Sequence, residues 1–521
     1  MKLSFLFPLL ICISANCLCC KKKNIEPVLV QDTIKVPSSD ETSDDGISNS
    51  GILITDMLGV NGFDWEYTQD NSGELDLNKI NLINSFSGFR QYLDWDKIEN
   101  KEGAFNLSHF DQIYKKNAEL GITTLLCLQI IPGWMRKTYP EYIASDPFGS
   151  LRDYTPVPYG SDKNIPDSYI AMAKAAFQIA ARYGSNTAID KTLLKVPSYE
   201  QNQPPFALNI LKYIECSNEP DKTWRGPNAK QTPEQYAAQL SAFYDGHMGT
   251  LGKDVGVKTA DPNMKVVMAG LADPDPNFVK RMIEWCKKNR VKNGNYTLCF
   301  DVINYHHYSN ENWSKGIAPE LSNSGAVADE FVSIGKQYGN TEVWVTECGF
   351  DVNAKSPQAA MAIGNKSTSD TQADWILRTG LMYARKGIKR TFYFMLNDVN
   401  IDDATQYSSA GLIVNNKRRP SADFVYQTKK LMAGYYFKNT ISADPIVDQY
   451  ISGNKKIYVV TVPDQKNRKA DYVLNLDKSA KEVTIYIPKA GSDQMQIQKL
   501  TLTDQKVSIN ATETPTFIQV N

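Results

Sequence analysis

The stretch Tyr213-Ile214-Glu215-Cys216-Ser217-Asn218-Glu219-Pro220 decides how this chain is read. A β-prone run ends in Asn218-Glu219-Pro220, and Pro220, with no N–H to donate, stops the strand. The strand tip therefore presents an amide and a carboxylic acid side by side. A second run, Glu342-Val343-Trp344-Val345-Thr346, closes in the same manner on Glu347-Cys348-Gly349. Two strand-tip glutamates predict a pair of carboxylates facing each other across a cleft.

Working outward, β-type runs fall at 52–58, 83–90, 123–130, 211–219, 265–273, 301–308, 342–349 and 390–396. Helical patterns separate them at 107–120, 167–183, 233–251, 277–288, 327–338 and 371–385, with a last one at 422–435. This alternation predicts a parallel (β/α)8 TIM barrel over residues 51–437. Only the gap between the first two strands lacks a helical pattern. The connection 132–209 is far longer than the usual few residues and is expected to shape the cleft. After residue 438 the pattern becomes short alternating runs at 456–462, 471–476, 482–487, 499–502, 506–509 and 516–520. These predict a small C-terminal antiparallel β-sandwich over 438–521, a buttress for the barrel, with glycan binding as its other possible use.

At the start of the chain, Lys2 precedes an apolar run over 3–13, and Cys17, Cys19 and Cys20 stand just before Lys21-Lys22-Lys23. The run is too short to span a membrane and fits a signal h-region. Cysteine at its end is similar to a bacterial lipoprotein signal, cut before a Cys that is then acylated. Cys20 is the favoured site, although the residues preceding the three cysteines (Asn16, Leu18 and Cys19) fit the motif imperfectly. Residues 1–20 are thus read as a lipoprotein-type signal peptide. Residues 21–50, polar and rich in Ser, Asp and Pro, are read as a flexible linker. The expectation is export to the bacterial cell envelope with a lipid anchor as the only membrane contact. A plain secretory signal is the alternative.

The formal charge of -1 gives no reason to expect nucleic acid, whose binders usually carry a basic patch. Beyond the leader, Cys127, Cys216, Cys286, Cys299 and Cys348 show no zinc-site spacing. Cys286 and Cys299 can pair in an oxidising compartment. The 27 Tyr, 20 Phe and 8 Trp chiefly serve the core, and the surplus suits stacking on sugar rings.

Asn218-Glu219-Pro220 on the fourth strand with Thr346-Glu347 on the seventh resembles glycoside hydrolase clan A, the "4/7" retaining β-glycosidases. Asp94-Trp95-Asp96, Ile98-Glu99 and Gly103-Ala104-Phe105 are nearest in flavour to its xylosidase- and iduronidase-like and cellulase-like families (families 39 and 5). The resemblance implies that Glu219 is the general acid/base and Glu347 the nucleophile. Retaining enzymes hold such carboxyls about 5–5.5 Å apart. Charge on Glu347 would keep Glu219 protonated until the glycosyl-enzyme forms. Asn218 takes the place of the amide that binds the sugar 2-hydroxyl.

By the same resemblance, Arg90, ending the second strand, keeps the nucleophile ionised; an ion pair with Asp94 or Asp96 is its alternative. In His306-His307-Tyr308 the resemblance has Tyr308 donate to the nucleophile and His306 face the cleft, with His307 packed behind. Trp134 and Trp224 are candidate sugar platforms or core plugs. The eighth strand departs from the clan: Phe392-Tyr393-Phe394-Met395 has no Trp, so Phe394 or Tyr393 would take its place. Asp398 and Asn400 are candidates for hydroxyl contacts. No cofactor and no metal are expected, and the partner expected is a carbohydrate. Two other readings share these features: a non-catalytic glycan-binding lipoprotein, and a transglycosylase using the same carboxylates.

Overall fold

The computed structural model describes residues 51–69, 73–144 and 150–521. The expected signal peptide and linker lie outside the described residues. Eight parallel strands close into a barrel: β1 (Gly59–Gly62), β2 (Gly88–Asp94), β3 (Thr123–Gln129), β4 (Tyr213–Cys216), β5 (Lys265–Met268), β6 (Val302–His306), β7 (Glu342–Cys348) and β8 (Arg390–Tyr393). They neighbour one another in chain order, and β1 pairs with β8 to complete the ring. The β2–β3 ladder runs unbroken from Gly88 opposite Thr123 to Asp94 opposite Gln129. Runs such as Leu125-Leu126-Cys127-Leu128 suit strands that are buried on both faces.

Eight main helices follow the strands: α1 (Leu77–Ile83), α2 (Ser108–Glu119), α3 (Ile170–Tyr183), α4 (Pro233–Gly249), α5 (Pro276–Asn289), α6 (Ser324–Gln337), α7 (Thr368–Lys386) and α8 (Pro420–Leu431). Their ends are written in the sequence. Thr232 and Gln235 form a capping box with Pro233 at the first helical position of α4. Ser367 and Asp370 do the same for α7, which stops at Gly387 with φ +89°. None of the described helices is long and apolar enough to cross a membrane.

Three expectations need correction. The gap between the first two strands does hold a helix, α1, capped by the Asp76 carboxylate on the Asn78 and Lys79 amides. The first strand is not 52–58: Ile54–Met57 coils into a 3-10 turn and the strand is Gly-Val-Asn-Gly. Glycine is needed at position 59 because a Cβ there would sit 2.5 Å from the Phe392 ring, so packing overrides β propensity. Ile83 ends α1 rather than opening the second strand, so Arg90 lies inside β2 and not at its tip.

From Tyr436 onward the chain is all β: β9 (Tyr436–Ala443), β10 (Ile446–Ser452), β11 (Lys455–Thr461), β12 (Ala470–Asn475), β13 (Glu482–Ile487), β14 (Gln496–Thr501), β15 (Lys506–Ala511) and β16 (Thr516–Val520). A six-stranded antiparallel sheet in the order β9-β10-β11-β16-β13-β14 faces the two-stranded sheet β12-β15 across Val447, Val460, Val483, Val507 and Ile518. The hairpin β9-β10 carries no strand expectation from the sequence. Polar contacts fasten this part to the barrel. Arg385 pairs with Asp448 at 2.6 Å, Arg378 donates to the Asp464 carbonyl at 2.9 Å, and the Ala318 amide donates to Gln465 at 2.8 Å. All five described cysteines are free, with the Cys286 and Cys299 sulfurs 3.4 Å apart.

The barrel interior divides in two. At the strand starts, Leu125, Val267, Val302, Trp344 and Phe392, with Tyr213 against them, form an apolar plug. One pleat further along, the inward positions carry Arg90, Glu215, Asn304 and Thr346, all with no exposed surface.

Candidate active site

Local backbone geometry puts both glutamates in the mouth. β4 ends at Cys216, and Ser217 (φ +68°) and Glu219 (φ +50°) then adopt left-handed conformations. The Ser217 amide is held by the Leu128 carbonyl and the Glu219 amide by the Gly270 carbonyl. These residues break the strand alternation, which is why two consecutive side chains, Asn218 and Glu219, both reach the site. β7 uses another device: its register against β6 shifts between Val345 and Glu347. The extra residue lets Thr346 and Glu347 both turn inward.

Arg90 is the hub. Its Nη1 lies 3.0 Å from Glu347 and donates to Tyr92 at 2.7 Å and Asn61 at 2.9 Å. Nε and Nη2 grip Glu215 at 2.6 and 2.9 Å, and Nη2 also reaches the Asn218 amide oxygen at 2.7 Å. Glu215 is satisfied further by the Asn304 amide and the Gly270 N–H. The alternative partners for Arg90 are engaged elsewhere: Asp94 pairs with Arg152 and Asp96 with Arg136.

Glu347 accepts from Tyr92 at 2.6 Å and Tyr308 at 2.9 Å. His306 stands between the two glutamates, Nδ1 2.9 Å from Glu219 and 3.5 Å from Glu347, with Nε2 at 3.1 Å from Thr346 Oγ1. Gly270 leaves room for that ring, since a Cβ would meet Nε2 at 2.0 Å. A carboxylate oxygen of Glu219, one of Glu347 and a ring nitrogen of His306 all lie within 4.8 Å of one another.

The two carboxyls differ in charge preference. Burial pushes Glu219 up, and the Glu347 charge adds to it, against the opposing His306 hydrogen bond. Burial would also raise Glu347, but the His306 and Arg90 charges and the two phenol donors more than offset it and hold it below the usual range. Burial pulls His306 down, yet Glu347 and Glu219 together hold it above the ordinary imidazole value. One acid is thus biased toward the proton and its neighbour toward the charge. The trio's spacing would also suit a cation, but the Arg90 guanidinium already supplies the positive charge at Glu347.

The remaining candidates are placed as follows. His307 points away, to Asn323 at 3.1 Å. Trp134 is half-buried, edge-on to Trp95, with its indole N–H on the Glu99 carbonyl. Trp224 is 45% exposed on the turn Thr223–Arg225 after β4. Tyr393 is fully buried, with its hydroxyl against α7 at Gly380, so it is no substitute for a cleft tryptophan. Phe394 is half-buried, its ring edge-on to Tyr407. Asp398 is bound to Arg419 at 2.6 Å and caps the Gly411 amide, and Asn400 holds its own turn through the Asp402 amide. Tyr92, Glu215, Asn61 and Asn304 were not singled out from sequence. Period-two spacing was the available signal, placing Tyr92 on the face of Arg90 and Asn304 on the face of His306.

Comparisons with known proteins agree with this picture. The glycoside hydrolase family 42 model, described as beta-galactosidase, matches residues 76–192. No curated protein matches the sequence. Among solved structures, a conserved exported protein from Bacteroides fragilis superposes with a TM-score of 0.54 at 12% identity, covering 91% of this chain and 99% of that one. A family 30 endoxylanase from Clostridium papyrosolvens gives 0.50 at 14%, covering 91% and 98%. A beta-porphyranase of family 86 from Bacteroides plebeius gives 0.51 at 14%, covering 91% and 75%. At such identities the likeness is one of fold. In fold the chain is similar to these proteins over about nine-tenths of its length.

Proposed function

We propose that this protein is a retaining β-glycoside hydrolase acting on a β-linked oligo- or polysaccharide, with Glu347 as nucleophile and Glu219 as general acid/base. The observation that carries this reading is that one oxygen from each of two carboxyls with opposed protonation preferences lies within 4.8 Å of the other. That spacing suits a shared anomeric carbon and favours the retaining arrangement, in which the two carboxyls stand closer together than in inverting enzymes.

In the first step a Glu347 oxygen bonds to the anomeric carbon as the glycosidic C–O bond breaks. Glu219 gives its proton to the departing oxygen. The resulting ester removes the negative charge beside Glu219, which then becomes acidic enough to take a proton from water. The water oxygen attacks the same carbon, the ester bond breaks, and Glu347 leaves as carboxylate with both groups restored. Arg90, Tyr92 and Tyr308 hold Glu347 ionised and oriented before attack. The beta-galactosidase match and the endoxylanase and porphyranase neighbours support a β-linked glycan as substrate. A purely glycan-binding role would give no reason for two carboxyls held this close.

Glu347→Ala should lower turnover of aryl β-glycosides by on the order of 10⁴ or more. Azide should then restore release of the aryl group and yield the α-glycosyl azide. Unchanged hydrolysis in this variant would refute the nucleophile assignment.

A further inference from the structure

The resemblance to clan A leaves the eighth strand without its tryptophan, and the structure shows what stands beside Phe394 instead. Tyr407, in the loop after β8, packs its ring 4.5 Å from Tyr308 and 5.9 Å from Phe394. Tyr308 is the residue that donates to Glu347. Tyr407 is therefore two contacts from the nucleophile, and its phenol is raised by burial and by the charges of both Glu219 and Glu347.

The loop is held in an unusual shape to put it there. Tyr407 has φ +72°, a region that bulky side chains avoid. Asp351, buried and four positions past Glu347, fixes that conformation. It accepts the Tyr407 amide at 2.8 Å, the Ser409 amide at 3.0 Å, the Ser409 hydroxyl at 3.2 Å and the Ser356 hydroxyl at 2.5 Å. Backbone held in a rare conformation by several converging bonds marks places where position matters. Tyr407 is only half-buried, and the neighbouring Gln406 keeps a buried amide nitrogen with no hydrogen-bond partner among the described residues. Gln406 thus offers a donor that no described protein group takes, beside a phenol that is not sealed into the core.

We propose that Tyr407 donates a hydrogen bond to a hydroxyl of the sugar seated against Glu347, and that Asp351 is the positioning residue that sets it there. This rests on the glycosidase reading. The sugar subsite is then walled by Phe394 and Tyr407 from the β8 side, and its selectivity among hydroxyl patterns is set by a loop tyrosine.

The test uses the full-length protein and the best-cleaved substrate from a panel of nitrophenyl β-glycosides and defined β-linked oligosaccharides, together with its single-deoxy analogues. Tyr407→Phe should lose roughly tenfold in kcat/KM on the parent substrate, the size expected for one neutral hydrogen bond. It should lose nothing against the one deoxy analogue that lacks the partner hydroxyl. Asp351→Asn should show the same substrate-dependent loss, and the double variant should be no worse than the poorer single variant. Equal losses on every analogue, or none on the parent, would overturn the role of Tyr407. Additive losses would overturn that of Asp351. In the wild type, the deoxy series reads the contact independently: a uniform response to removing any hydroxyl speaks against it. Should Glu347→Ala remain active, the catalytic reading itself fails, a result separable from any outcome at Tyr407.

Discussion

The two ends of the barrel interior are built from the same strands and obey opposite rules. β7 gives Trp344 to the apolar plug and Thr346 with Glu347 to the mouth, and β6 gives Val302 below and Asn304 with His306 above. β4 likewise places Tyr213 below and Glu215 above. The change takes one pleat, about 7 Å along the strand. Below that line the interior is satisfied by volume, and any well-fitting hydrophobe serves. Above it, every buried group depends on a named partner. The guanidinium of Arg90 spends its donors on Glu215, Glu347, Tyr92, Asn61 and Asn218. Stability and chemistry share the strands but are written at different depths.

The contrast can be broken from the top first. Glu219→Gln removes the proposed proton donor, so glycosides with poor leaving groups should lose about 10³-fold or more, whereas activated aryl glycosides lose far less. Comparing kcat/KM across a leaving-group series checks this, and a uniform loss would contradict the acid role.

A pair of substitutions then sets the ends against each other. Arg90→Met strands Glu215 and Glu347 without their cation and should cost about 3–5 kcal/mol of stability together with nearly all activity. Trp344→Ala at the plug should cost a similar 3–5 kcal/mol, yet leave turnover per folded molecule near wild type. Denaturant melts combined with active-site titration separate the two. Loss of specific activity in the Trp344 variant would show that the plug is also part of the machinery.

The rim can be tested by pH. Glu66, buried after β1, accepts the Phe63 amide at 2.7 Å and the Asn397 side chain at 3.0 Å, and burial pushes its carboxyl up to about 7. The folded chain therefore binds a proton that the unfolded chain has released above its ordinary 4.5. Stability contributed by the neutral form is complete below 4.5 and is lost as pH rises to 7. Relative to Glu66→Gln, the parent should weaken by up to about 3 kcal/mol between pH 4.5 and 8. Melts at several pH values measure that difference, and a gap that does not move with pH would sink the assignment.

The smallest effect expected is at Tyr308. Its hydroxyl is one of the two donors lowering Glu347. In Tyr308→Phe the acidic limb of kcat/KM should move up by about one pH unit while the basic limb, governed by Glu219, stays. A shift of both limbs would mean that the two acids are not separately tuned.

Much of the candidate site could be read from the chain because Glu219 and Glu347 sit where a strand visibly ends, at a proline and a glycine. The eight-strand count was legible for the same reason, since apolar runs buried on both faces stand out from helical periodicity. What the sequence concealed follows from packing. β1 is a weak strand by composition because Phe392 demands glycine opposite it, and no local propensity predicts that demand. Glu215 looked like a strand interior residue because its partner, Arg90, lies 125 positions away. The β7 bulge, which brings Thr346 and Glu347 to one side, is a pairing irregularity and leaves no trace in one-dimensional alternation. Tyr407 was invisible because its place depends on Asp351, 56 positions away with α7 and β8 between them.

The fastening of the sandwich bears on how such a protein can be cut and recombined. Lys366, in the loop leading from β7 into α7, bonds Thr514 at 2.9 Å and Asp374 at 2.6 Å, while Arg385 on the same helix relies on Asp448. A chain shortened before Tyr436 would leave Arg385 without the Asp448 carboxylate and Lys366 without the Thr514 hydroxyl. The C-terminal part is therefore not an interchangeable cartridge: a replacement would have to present an acceptor to Arg385 and to Lys366 at the same places.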